Sequence, residues 1–209
     1  MIPALLLSFS LQAPDTTLRL PLRVHLLRSN TSEALSTTRH RASVDTMVAF
    51  ANRIWQQAGI EWIVESVITE DGPGELLNQL IAGTVPVTRE RLSSLGPKDN
   101  LLVPGWNLFL IRDFGNIAGG AFIPELSGAI LAERGFGYEL PANGRGGGTL
   151  AHELGHSLTL PHVPCDSTHD VMANACSVPG LVSRLTPEQA VIARRQAVTG
   201  RPAITVPSP

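Results

Sequence analysis

Two histidines and a glutamate in the run His152-Glu153-Leu154-Gly155-His156 stand at a spacing that can do metal chemistry. Residues four apart share one face of an α-helix, so both imidazoles reach a single ion, and Glu153, one residue round, sits beside a water on that ion. Zinc lowers the pKa of such a water toward about 7, and a neighbouring carboxylate takes its proton as it attacks a carbonyl. A catalytic zinc keeps three protein ligands and one open position, so a third donor is needed. His162 supplies it, six residues after His156 and directly after Pro161, which stops the helix and turns the chain back. With 6 His and 11 Glu in 209 residues, the two-histidine pattern arises by chance in roughly 1% of chains of this composition, so coincidence is a poor account. Surface histidines on a helix would also leave Glu153 unexplained among Leu150, Ala151, Leu154, Leu158 and Leu160.

The elements that must position these residues are legible in outline. Leu18, Leu20, Leu22, Val24 and Leu26 alternate with polar residues and predict a half-buried strand, with Pro21 placing it at an edge or a bulge. Ser43 reads as the N-cap, and Gly59 as the terminal glycine, of a helix whose Met47, Ala51, Ile54 and Ala58 recur at helical spacing. The β-branched run Ile60 to Ile68 completes a strand–helix–strand unit that suggests parallel pairing. Short helical pieces are expected near Leu76 and Leu92, a buried strand at Trp106 to Ile111, and two more strands at Gly119 to Ile123 and Gly128 to Ala132. Gly146 to Gly148 lacks the lysine and hydroxyl of a phosphate loop and reads as a flexible lead into a helix from Thr149 to Leu160. Thr186, Pro187 and Gln189 start a last helix that runs to about Val198.

On these residues the chain resembles the metzincin clan of zinc peptidases, with the signature HExxHxxGxxH followed by a tight turn containing methionine. His152, Glu153, His156 and His162 match in place, and Asp170-Val171-Met172-Ala173-Asn174 is similar to the methionine turn, with Met172 beneath the imidazoles. The run looks closest to the matrixin and pappalysin-like branches; the resemblance covers roughly Trp106 to Val198, and its specific motifs lie within Thr149 to Asn174. It implies an α/β (α+β) zincin fold: a twisted mixed sheet with an antiparallel edge strand between Gly119 and Ala132, an active-site helix and a C-terminal helix. It implies a zinc endopeptidase in which one zinc sits on His152, His156 and His162, and Glu153 is the general base. Extended protein or peptide substrate would pair with the edge strand, and Ala173 to Pro179 would line the pocket beside the metal. Two positions depart from the pattern. Thr159 replaces the family's glycine, where positive φ costs a β-branched residue on the order of 1 kcal/mol or more, so the turn is made differently or the metal geometry suffers. Asn174 stands where some branches carry tyrosine, so no tyrosine ligand is expected.

Two other readings compete. Glu188 replaces His162 as third ligand, as in zinc peptidases with a downstream glutamate, although a carboxylate in the first turn of a capped helix already has a reason to be there. In the second, the chain is a metzincin-like zinc-binding module with little or no peptidase activity. Among the other candidates, His169 reads as a surface or turn-stabilising residue, and His25 and His40 as solvated. Asp166 and Asp170 are too few for calcium, whose presence stays unknown.

Apolar residues at 43% and charged residues at 16% are those of an ordinary folded domain, expected over 15–200 with a loose tail at 201–209. A net charge of −2 without like-charge blocks argues against nucleic acid as a partner, and a monomer is expected. Residues 1–14 resemble the apolar end of a secretory signal without its basic start, and no window reaches the 18 or more apolar residues of a membrane span. Cys165 and Cys176 are eleven apart: they close a disulfide, which suits a secreted or periplasmic protein, or remain two buried thiols.

Overall fold

Alternation in the first strand does bury one apolar row, but the other row is buried as well. The computed structural model describes residues 16–96, 104–115, 119–135, 138–165, 169–173 and 184–205. Within it β1 (Leu18–Ser29) lies inside a five-stranded sheet with β2 (Ile60–Gly72), β3 (Trp106–Ile111), β4 (Gly120–Ile123) and β5 (Gly128–Ala132), in the order β2-β1-β3-β5-β4. β2, β1, β3 and β5 are parallel, and β4 is the antiparallel strand at the end, as the resemblance implies. Pro21 is therefore not on an edge strand. It is tolerated because pairing with β3 begins only at Leu22, and the register against β2 shifts between Leu22 and Arg23.

The interior position of β1 also overturns the solvated reading of His25. That side chain is fully buried, stacked on Phe109 at 4.4 Å between ring centroids, with Nδ1 3.0 Å from Glu70 and Nε2 3.2 Å from Asn107. Period-2 patterning assumes one wet face, and a parallel sheet covered on both sides has none. His40 is exposed as expected, yet it is the residue that caps α1 (Arg41–Trp55); the helix starts before Ser43, whose Oγ accepts the His40 amide at 2.9 Å in a capping box. Gly59 ends the following 3-10 turn with φ +61.

One face of the sheet packs against α1 and α4 (Arg145–Ser157), burying Leu22, Val24, Leu108, Trp55, Trp62, Trp106, Leu150 and Leu154. The other face is covered by α2 (Gly74–Ile81), α3 (Arg89–Ser93) and their connections through Leu77, Leu80, Leu92 and Leu95. A small hairpin, β6 (Arg134–Gly135) and β7 (Tyr138–Glu139), leads toward α4. Gly146 to Gly148 lie inside α4 rather than before it. The cause is packing: a Cβ on Gly147 would come within 2.6–2.7 Å of Phe50, so the glycine lets α4 approach α1. The last helix, α5 (Pro187–Ala197), begins at the Thr186 N-cap and buries Ala193 and Ala197 in the same core as α4. Beyond it, Ala203 is buried and donates its amide to the Ser157 carbonyl at 2.8 Å, so the segment expected as a tail touches the end of α4. No helix among the described residues is long and apolar enough to cross a membrane. Cys176 lies outside the described residues, as do residues 1–15 and the pocket segment after Ala173.

Candidate metal centre

The helix carrying the motif ends in a way that returns the chain to it. At the end of α4 the Leu160 amide donates to the Gly155 carbonyl and the Thr159 amide to the His156 carbonyl, each at 3.0 Å. These two bonds form a Schellman motif, with Thr159 in the left-handed position at φ +68. The threonine thus adopts the left-handed conformation that favours glycine, and Pro161 and His162 follow directly. Relieving that strain exceeds the extra unfolded-state freedom of glycine, so Thr159→Gly is expected to stabilise the fold by up to about 1 kcal/mol. A denaturation midpoint that falls instead would show that the Thr159 hydroxyl bond to the Leu158 carbonyl, 2.6 Å, outweighs the strain.

Three imidazoles converge at this turn. Nε2 of His152 is 3.1 Å from Nε2 of His156 and 3.1 Å from Nε2 of His162, and the latter two are 3.0 Å apart. Two of the rings are oriented by carbonyls, which only accept: His152 Nδ1 donates to Val171 O at 2.7 Å, and His156 Nδ1 to Leu160 O at 2.9 Å. Each of these two therefore carries its proton on Nδ1 and turns the Nε2 lone pair inward. Lone pairs this close repel one another unless a cation lies between them, and the spacing suits an ion about 2.0–2.1 Å from each nitrogen. The three side chains can hold a metal ion.

Met172 sits in a tight turn closed by the Ala173 amide on the Asp170 carbonyl at 3.2 Å. It is fully buried, and a Cβ on Gly155 would overlap its sulfur, so the small residue between the two helix histidines is required by contact. The Met172 carbonyl accepts the Val163 amide at 3.0 Å and so holds the chain next to His162.

Comparison with known proteins adds a fold-level likeness only. No family model matches the chain, and no curated protein is similar to it. Among solved structures, the chain is similar to metalloproteinase-II from Bacteroides fragilis at 14% identity and a TM-score of 0.48, over 88% of this chain and 55% of that one. The chain thus spans about half the length of that protein.

The other candidates fall elsewhere. Glu188 is exposed and outside the histidine group, which removes it as a rival third ligand; among the described residues no other three His, Cys, Asp or Glu side chains converge. His169 takes φ +57 beside the turn and is not in the group. Asp166 lies outside the described residues. Asp170 is buried and bonded to protein donors, Met172 N–H at 2.7 Å and Gln189 Nε2–H at 3.0 Å. Neither its burial nor its bond to Gln189 has a local signature. The same holds for Glu133. It follows β5 and, although burial raises its pKa, bonds from Thr37, Thr38, Arg112 and the Arg39 amide outweigh that and hold it below the usual carboxylate value. Its role is to tie the segment before α1 to the sheet.

Burial sets the electrostatics of the centre. Glu153 is 7% exposed and its carboxyl is pushed up to about 8 by desolvation, against the pull of the Phe122 amide. His156 is pushed down to about 4 by desolvation and then by His152, while burial also lowers His152. Two opposed linkages follow for the metal-free protein. The lowered histidine contributes stability present above pH 6.5 and lost as pH falls through about 4; the raised glutamate contributes stability present below pH 4.5 and lost as pH rises through about 8. Between pH 4.5 and 6.5 the two slopes oppose each other and largely cancel in the wild type. Without the carboxylate, Glu153→Ala should lose stability toward acid, with His156 alone contributing on the order of 3 kcal/mol. Denaturant titrations in chelator at stepped pH values check this, and a variant whose stability falls toward acid no more steeply than that of the wild type would refute it.

Proposed function

We propose that the chain is a zinc-dependent endopeptidase of the metzincin type. The observation that carries the reading is the triangle of Nε2 atoms at 3.0–3.1 Å, with Glu153, next in sequence to His152, buried against β4. Zinc in that position supplies Lewis-acid polarisation of a peptide carbonyl and lowers the pKa of water. His152, His156 and His162 hold the ion, with the Val171 and Leu160 carbonyls orienting the first two. Glu153 takes the proton of the attacking water and delivers it to the leaving amine nitrogen, and no side chain is acylated. Met172 serves as the methionine of the family's turn. β4 stands last in the sheet order, which leaves its outer edge for an extended protein or peptide chain to join by main-chain bonds, with one copy of the chain providing the complete ligand set.

A zinc-binding module with little activity would be favoured if Thr159 distorted the site. The close set of nitrogens speaks against that ground, since the left-handed threonine permits the turn. Metal analysis of purified protein, with casein cleavage assayed in chelator and after zinc is restored, tests the proposal. One zinc with chelator-sensitive cleavage is expected; zinc without cleavage would move the conclusion to the binding module, and a chain without metal affinity would overturn both.

A further inference from the structure

The tight turn under the histidines grips the metal centre through one peptide group. The Val171–Met172 peptide presents its carbonyl to His152 Nδ1 at 2.7 Å and its N–H to Asp170 Oδ1 at 2.7 Å. Because a peptide is planar, the carboxylate that holds the N–H also fixes the direction of the carbonyl, and so the plane of the imidazole. Asp170 Oδ1 accepts a second bond, from Gln189 Nε2 at 3.0 Å, and both residues are buried, at 4% and 7% exposure. Gln189 is itself fixed by the start of α5, where its Oε1 accepts the Thr186 amide at 2.7 Å and its own amide donates to Thr186 Oγ1 at 3.2 Å. A bond between charged and neutral partners in a buried site polarises the next bond in line, so the chain from Gln189 through Asp170 and the peptide to His152 acts as a unit.

Resting on the zinc reading above, we infer that Asp170 and Gln189 are a positioning pair that aims the Val171 carbonyl at His152, making α5 part of the support of the metal centre. A helix cap and a turn aspartate that served only to dock α5 would not need to share this peptide. Loss of the pair should tilt the His152 ring, and through the Met172 carbonyl it should also loosen Val163 beside His162.

The discriminating substitution is Gln189→Glu in the full chain. It keeps the oxygen that accepts from Thr186 but sets a carboxylate against that of Asp170. Adding Asp170→Asn restores a donor facing Glu at 189 while leaving an oxygen for the Met172 amide. Zinc affinity is read by competition with a chromophoric chelator, geometry by the visible spectrum after cobalt(II) substitution, and fold stability by metal-free melting. Gln189→Glu is expected to weaken zinc about 10- to 100-fold and shift the cobalt spectrum, and the double variant to recover most of the affinity and the spectrum. Wild-type zinc affinity in Gln189→Glu with only a lower melting temperature would overturn the inference and leave the peptidase reading standing. Wild-type protein that binds neither metal would overturn both. Should Gln189→Glu not fold, Gln189→Leu removes the donor without adding charge, and unchanged affinity there overturns the inference equally.

Discussion

Glu153→Ala is expected to leave one zinc per chain and to lower casein or peptide cleavage by about 10²- to 10⁴-fold, the range for loss of a general acid–base group. The reason lies in the division of labour at the centre. Two of the three imidazoles are oriented by the Val171 and Leu160 carbonyls, not by Glu153, so the alanine variant keeps the bonds that aim His152 and His156. What it loses is the buried carboxylate that would accept a proton from the attacking water and give it up to an amine. Removing a buried carboxyl also relieves desolvation, so the metal-free variant should melt no lower than wild type at neutral pH. Cleavage at the wild-type rate with zinc in place would remove Glu153 from the mechanism. Cleavage lost together with zinc would show that the carboxylate shapes the site rather than serving as its base.

His162→Ala, by contrast, should cost metal affinity at least about 10²-fold, because two imidazoles on one helix cannot replace a three-nitrogen site. Glu188→Ala is expected to bind zinc as wild type does, since that carboxylate is exposed and apart from the histidines. Equilibrium dialysis against buffered zinc measures both. His162→Ala is chosen over His156→Ala because His156 is the more buried ring, and its truncation would leave a cavity whose effect on folding would mix with the loss of the ligand. Full zinc retention in His162→Ala would sink the three-histidine assignment, and zinc loss in Glu188→Ala would revive the glutamate ligand.

The sequence by itself determined the three histidines of the cluster, their order and the helix that joins two of them, because helical periodicity and a helix-stopping proline act over a few residues. It also determined the Thr186 cap and the strand–helix–strand opening, and through resemblance the antiparallel strand that became β4. Tertiary structure decided what depends on residues far apart in the chain. Thr159 reads locally as a strained substitution; the Schellman bonds show that the turn closes around it. His25 reads as a solvated strand residue, until α2, α3 and the neighbouring strands cover the second face of the sheet. Gly147 reads as part of a flexible lead into the helix, yet it is where Phe50 meets α4. Gln189 reads as a cap, and only the fold brings Asp170, nineteen residues earlier, within 3.0 Å of it. The physical reason is common to all four: local sequence specifies dihedral preference and periodicity, whereas burial on a second face and the partner of a buried polar group are set by packing between distant segments.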